Sequence, residues 1–168
     1  MMNFRQYTNV TKIVIPDGVS LSNSNFEDSF SRLFNLKELK IPYNKIVNMS
    51  NMCNNCSNLI GSPVCGENVT SIYRTYENCS NLTGSPVCGN KVTTMFLTYC
   101  NCSNLTGSPV CEENVKSMFK TYQDCYNLTG SPACGNKVTS MFQTYYNCFN
   151  LTGSPVCGEN VTNMYGTY

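Results

Sequence analysis

Twelve cysteines and no histidine set the side-chain chemistry open to this 168-residue chain. Without His, the Ser-His and Cys-His nucleophile pairs and the zinc ligand sets that contain His are excluded. Thiol chemistry is what remains. Cys53 and Cys56 form CNNC, the spacing of a redox or metal motif. Cys56, however, belongs to a series, Cys56, Cys79, Cys102, Cys125 and Cys148, and Cys53 stands where Tyr76 stands one step later. The motif therefore arises where one substitution meets a periodic cysteine. Cys100 beside Cys102 is an isolated substitution of the same kind, at a position filled by Glu77, Gln123 and Tyr146 elsewhere. Carboxylates offer little more: Glu112 and Glu113 are adjacent, so they point apart on any regular element, and other copies carry Gly at the first of these places. The residues point away from an enzyme, and to no cofactor and no metal.

A second series, Cys65, Cys88, Cys111, Cys134 and Cys157, runs in phase with the first. A disulfide between the two, such as Cys79 to Cys88, needs Cα atoms within about 7 Å. The stretch between them includes an extended segment that separates its ends by roughly 20 Å at ~3.3 Å per residue. Buried, reduced thiols that pack as small hydrophobes are the expectation, with oxidation between stacked neighbours left open.

Both series advance by 23 residues, and so does much else in the chain. Leu59, Leu82, Leu105, Leu128 and Leu151 keep the step; Met49, Ile72, Met95, Met118, Met141 and Met164 keep it; Tyr76, Tyr99, Tyr122, Tyr145 and Tyr168 keep it. A further aromatic row, Tyr73, Phe96, Phe119, Phe142 and Tyr165, lies beside the Met series. Such a period marks a repeat array, in which each unit buries its apolar face against its neighbours. Within a unit, Val92, Met95, Tyr99 and Cys102 form a stripe at helical spacing. The following NLTGSPVCG is too short and too rich in Gly and Pro for helix, and reads as an extended segment with a turn, with Leu105 and Val110 its apolar members. Pro63, Pro86, Pro109, Pro132 and Pro155 each remove a donor, so the parallel strands are expected to be short or irregular. Gly84 and its equivalents mark a bend or a close approach of backbones. The expected fold class is an α/β repeat solenoid of leucine-rich-repeat-like coils of about 23 residues, short irregular parallel strands on one side and short helices on the other.

Three regions follow. Residues 46–160 hold five near-identical repeats, residues 1–45 hold degenerate coils, and residues 161–168 hold a half repeat. In the first region Phe30, Leu33 and Leu36 precede Cys53, Cys56 and Leu59 by 23 residues, and VTKIVIP matches LKELKIP at an offset of 26. These early coils carry more than their share of charge, as a cap facing water requires. Phe4, Tyr7 and Val10 align with Phe30, Leu33 and Leu36, so the first coil has an extended half, whereas VTNMYGTY at the other end has the stripe half. A head-to-tail junction between Phe4, Tyr7 and Val10 of one molecule and Val161, Met164, Tyr165 and Tyr168 of the next would complete a coil and propagate a filament. A piece cut from a longer array is the alternative.

The unit FSRLFNLKELKIP resembles the BspA-type (Treponema pallidum-type) leucine-rich repeat, which reads roughly A-F-x-x-C-x-x-L-x-x-I-x-I-P. NVTSIYRTYENCSNL is similar to the bacterial surface-protein repeat V-T-x-M-x-x-M-F-x-x-C-x-x-L. Three departures stand out: GSPVC replaces the apolar strand, Tyr replaces Phe before the first Cys, and the second Cys series belongs to neither pattern. The resemblance implies a strand-and-helix solenoid from bacterial surfaces, protozoa or phages, with adhesion or binding as its role and an extracellular or surface-associated setting. MMNFRQYTNV itself has no apolar signal-peptide core.

Composition narrows the partners. Only 12% of residues are charged and the net charge is +1, which leaves no electrostatic footprint for nucleic acid, and no apolar run approaches the ~20 residues of a membrane span. Sequons recur at Asn68, Asn81, Asn104 and Asn160, but duplication of NLT multiplies them without selection for sugar. The leading expectation is a structural scaffold whose partner is itself, because TGSPVCG recurs almost unchanged and displays little distinct information. A surface adhesin, binding protein or glycan through an exposed aromatic row, is the second; packing between coils is the more ordinary role for that row.

Overall fold

The computed structural model describes residue 4 and residues 6–153 and 156–168. Regular elements are few. Strands β1 (Lys12–Val14) and β2 (Glu38–Lys40) pair in parallel, with Ile13 opposite Leu39. That register is the 26-residue offset between VTKIVIP and LKELKIP. A 3-10 turn covers Tyr43–Lys45.

From there on the structure is organised by the 23-residue step, with neighbouring units side by side and in register. Parallel bridges join Asn25 to Asn48, Asn48 to Ser71, Thr94 to Ser117, Ser117 to Ser140 and Ser140 to Asn163. Along the stripe half, the N–H groups of Met95, Leu97, Tyr99 and Asn101 donate to the carbonyls of Ser117, Phe119, Thr121 and Gln123 in the next unit, at 2.8–3.0 Å. The N–H groups of Thr98, Cys100 and Cys102 instead turn back to the carbonyls of Met95, Leu97 and Tyr99, three residues earlier. Leu97 and Asn101 take positive φ, 55° and 61°, as the third residue of a type II turn must. Arg74 and Asn78, Lys120 and Asp124, and Gln143 and Asn147 repeat the pattern.

The expectation of short helices is thereby corrected: among the described residues there is no α-helix. A helix spends its N–H groups on carbonyls four residues back in the same segment, whereas here alternate donors cross to the neighbouring unit. A left-handed residue at every fourth place is also incompatible with a right-handed helix. The apolar stripe survives the change. Val92, Met95, Tyr99, Cys102 and Leu105 are all buried, because a chain of tight turns brings residues three and four apart to one side just as a helix does.

The extended half is looser than a strand ladder. One backbone bond recurs from unit to unit, Thr83 to Gly61, Thr106 to Gly84, Thr129 to Gly107 and Thr152 to Gly130, joined in the last pair by Gly153 to Gly130, Val156 to Pro132 and Cys134 to Val156, and a single bridge, Ala133 to Val156, is found there among the described residues. Its inward side chain is the proline: Pro63, Pro86, Pro109 and Pro132 are buried, while Val64 is exposed and Val110 half-buried; Pro155 lies outside the described residues. Gly84 combines both reasons for glycine, a φ of +81° and a neighbour so close that a Cβ would sit 2.3 Å from the Ser62 hydroxyl of the preceding unit. One hydrophobic cluster runs through the whole stack, from Ile13 and Phe26 to Cys148.

Candidate functional site

The described residues are arranged in columns, each built from one residue per unit. The innermost column is tyrosine. Rings of Tyr76, Tyr99, Tyr122, Tyr145 and Tyr168 stack at 5.6–5.7 Å, nearly parallel. The hydroxyls of Tyr76, Tyr99, Tyr122 and Tyr145 reach across their units to the extended half: Tyr76 donates to the Val64 carbonyl at 2.6 Å and accepts from the Val64 N–H at 3.1 Å, and Tyr122 does the same with Val110 at 2.9 and 3.1 Å. Tyr145 donates to the Ala133 carbonyl. Burial pushes the Tyr76, Tyr99, Tyr122 and Tyr145 hydroxyls well above their ordinary ionisation range, so they act as neutral hydrogen-bonding groups.

The first cysteine series packs beside this column. Cys56, Cys79, Cys102, Cys125 and Cys148 are buried and free, and their thiols donate to the carbonyls of Phe30, Cys53, Tyr76, Tyr99 and Tyr122 at 3.0–3.1 Å. Burial raises the ionisation points of Cys79, Cys102 and Cys125, and that of Cys148 to about 12. Leu59, Leu82, Leu105 and Leu128 are buried in the same core, and Leu151 packs against it half-buried. The CNNC pair lies wholly inside: Cys53 and Cys56 are both buried, and Cys53 is held protonated by its contact with Cys56 and by burial. The second series sits at the rim. Cys65, Cys88, Cys111 and Cys134 are half-buried, Cys157 is exposed, and all are free.

A second aromatic column runs along the outside. Tyr73, Phe96, Phe119, Phe142 and Tyr165 stack at 5.2, 4.5, 4.9 and 5.4 Å. The first four are half-buried, so the row packs between units and also shows one edge to solvent. Arg74 lies 5.4 Å over the Tyr73 ring, and Lys120 bridges Phe119 and Phe142 at 5.8 and 6.0 Å, which places positive charge along this edge.

The residues expected at a junction lie on opposite ends of the stack. Phe4 is half-buried and stacks on Phe30 at 5.4 Å, Tyr7 is exposed and Val10 is half-buried. At the other end Val161 is half-buried, whereas Met164, Tyr165 and Tyr168 are exposed, Tyr165 to 72% and Tyr168 to 52%. Next to them an open cleft is lined by Tyr145, Cys148, Phe149 and Tyr168.

Two further columns are polar. Thr75, Thr98, Thr121, Thr144 and Thr167 are buried, each hydroxyl donating at 2.6–2.8 Å to a carbonyl 26 residues earlier, Met49 through Met141. Asn55, Asn78 and Asn101 pass side-chain amide bonds from unit to unit at 3.0 and 2.7 Å, and Asn147 donates to Asp124 at 2.7 Å. Both were visible as 23-residue series of polar residues; the signal for the second was Asn, the side chain that best tolerates a left-handed backbone.

A family model described as a Kazal-type serine protease inhibitor domain matches residues 51–78. That is one sixth of the chain, a single unit with a few flanking residues, and its cysteines Cys53, Cys56 and Cys65 are free. Such a match does not assign the chain to a family. No curated protein and no solved structure matches the chain, and the resemblance to surface-protein repeats rests on the residue pattern alone.

Proposed function

We propose that the units wind as a solenoid of stacked coils and that the chain is a structural scaffold that self-associates head to tail. The observation that carries this reading is the pair of aromatic columns, in which each unit stacks its rings on those of the unit before it, as Tyr99 does on Tyr76 and Phe119 on Phe96. Each unit therefore carries a face complementary to that of its neighbour, and a second copy can extend the columns through contacts of the same kind. The occupant is a second copy, seated through Phe4, Tyr7 and Val10. A contact between two different faces does not close on itself and generates an open filament, and burial of exposed aromatic surface supplies the driving force.

The test is negative-stain microscopy and light scattering of the full chain over a concentration series, beside the double variant Tyr165→Ser, Tyr168→Ser. Concentration-dependent filaments that the double variant loses, with an unchanged melt, support the scaffold; a full chain that stays monomeric at high concentration overturns it.

One observation favours a second reading, a surface adhesin. The outer aromatic column exposes a continuous ring edge flanked by Arg74 and Lys120, a platform on which sugar rings or a protein strand can stack. Binding of glycans or cells by a monomeric chain, lost in Phe96→Ala, would select it over the scaffold.

A further inference from the structure

We propose that Cys134 and Cys157 form a thiol pair that a low-molecular-weight disulfide oxidises to a covalent staple between adjacent units, while the inner cysteine series stays reduced. The placement of the pair is the first argument. Ala133 and Val156 form a parallel bridge, and the Cys134 N–H donates to the Val156 carbonyl at 3.1 Å, which sets Cys134 beside Cys157 in register. Parallel neighbours lie about 4.8 Å apart, inside the Cα range of roughly 4.4–6.8 Å that a disulfide spans. Burial and the neighbouring Cys157 thiol both raise the ionisation point of Cys134.

Access is the second argument. Cys157 is exposed and Cys134 half-buried, whereas Cys56, Cys79, Cys102, Cys125 and Cys148 are buried with their thiols bonded to carbonyls. Thiol–disulfide exchange needs a sulfur that the reagent can reach in line. Burial distinguishes this pair from others in the outer series: it raises Cys88 to about 12 and Cys111 to about 11, whereas Cys157 is exposed. The Gly158 N–H donates to the Cys134 sulfur at 2.9 Å and supports negative charge there, as the Gly135 N–H does for Cys111 at 3.2 Å.

The chemistry balances with the external disulfide as oxidant. Cys157 gives its proton to solvent and its thiolate attacks one sulfur of the reagent; the other sulfur leaves and is protonated to a free thiol. Cys134 then loses its proton and attacks the Cys157 sulfur of the mixed disulfide, releasing the second free thiol. Two electrons pass from the cysteine pair to the reagent, and the new bond closes a loop of one repeat unit.

Full-length chain is incubated with oxidised glutathione, quenched with an alkylating agent, digested without reduction and sequenced by mass spectrometry. The expected result is a cross-linked peptide joining Cys134 to Cys157 within one molecule, with the five inner cysteines alkylated only after unfolding. In Cys134→Ser, Cys157 should instead stop at the mixed disulfide with glutathione. The idea is overturned if wild-type chain stops at that mixed disulfide, if Cys157 links only to a second molecule, or if the inner series is cross-linked as readily.

Discussion

The hydroxyl of Tyr99 closes on both backbone polar groups of Val87, donating to its carbonyl at 2.6 Å and accepting from its N–H at 3.1 Å. Val87 lies in the segment where GSPVC stands in place of an apolar strand. A strand would satisfy those groups in a ladder; this loose segment does not, and a buried unpaired amide is costly. The two departures from the surface-repeat pattern, Tyr for Phe and GSPVC for the strand, therefore compensate each other.

Tyr99→Phe tests that coupling. It keeps the stacked ring and deletes only the hydroxyl, leaving the N–H and carbonyl of Val87 without their partner. We expect a loss of about 1–3 kcal/mol in urea denaturation. An unchanged midpoint would mean that water reaches Val87 and that the hydroxyl is not its partner.

Alkaline pH should weaken the fold. Burial raises Cys88 and Cys148 to about 12 and Cys111 to about 11, against ~8.5 for a thiol in the unfolded chain. Above that unfolded value the native state binds more protons than the unfolded state, so stability falls as pH rises. The contribution is fully present below about pH 8.5 and is lost progressively towards pH 11–12. Urea melts at about pH 7 and about pH 10 should show a lower midpoint at the higher pH; equal midpoints would indicate that these thiols ionise freely in the native state.

The inward residues could be read from the sequence because a 23-residue series reports burial whatever the backbone does. The helical spacing of Val92, Met95, Tyr99 and Cys102 predicts one stripe, and all four are buried. Their conformation was not legible from the same spacing, since helices and successive turns share it. The composition of that stretch held the missing signal: VTTMFLTYCNC is dominated by β-branched, aromatic and Asn residues, with few of the strong helix formers. Proline removes a donor, yet at Pro86 and Pro109 it is also the buried side chain of its segment, a role that a backbone argument does not reveal.

Leu105 and Phe119 separate the core from the outer column, and their alanine variants should differ in kind. Leu105 is fully buried in the shared cluster, so Leu105→Ala removes core volume that the stacked neighbours cannot refill, and about 2–5 kcal/mol should be lost. Phe119 is half-buried and meets Phe96 at 4.5 Å and Phe142 at 4.9 Å, with Lys120 over its ring. Phe119→Ala forfeits two stacking contacts at roughly 0.5–1.5 kcal/mol each and opens no enclosed cavity, so its cost should be the smaller of the two. Denaturant melts of both variants give the order directly. A larger loss for Phe119→Ala would make the outer column part of the folding core and would remove it as a candidate platform for ligands. The expected order, with Phe119→Ala still folded, leaves a chain in which that edge can be assayed for binding without the confusion of unfolding.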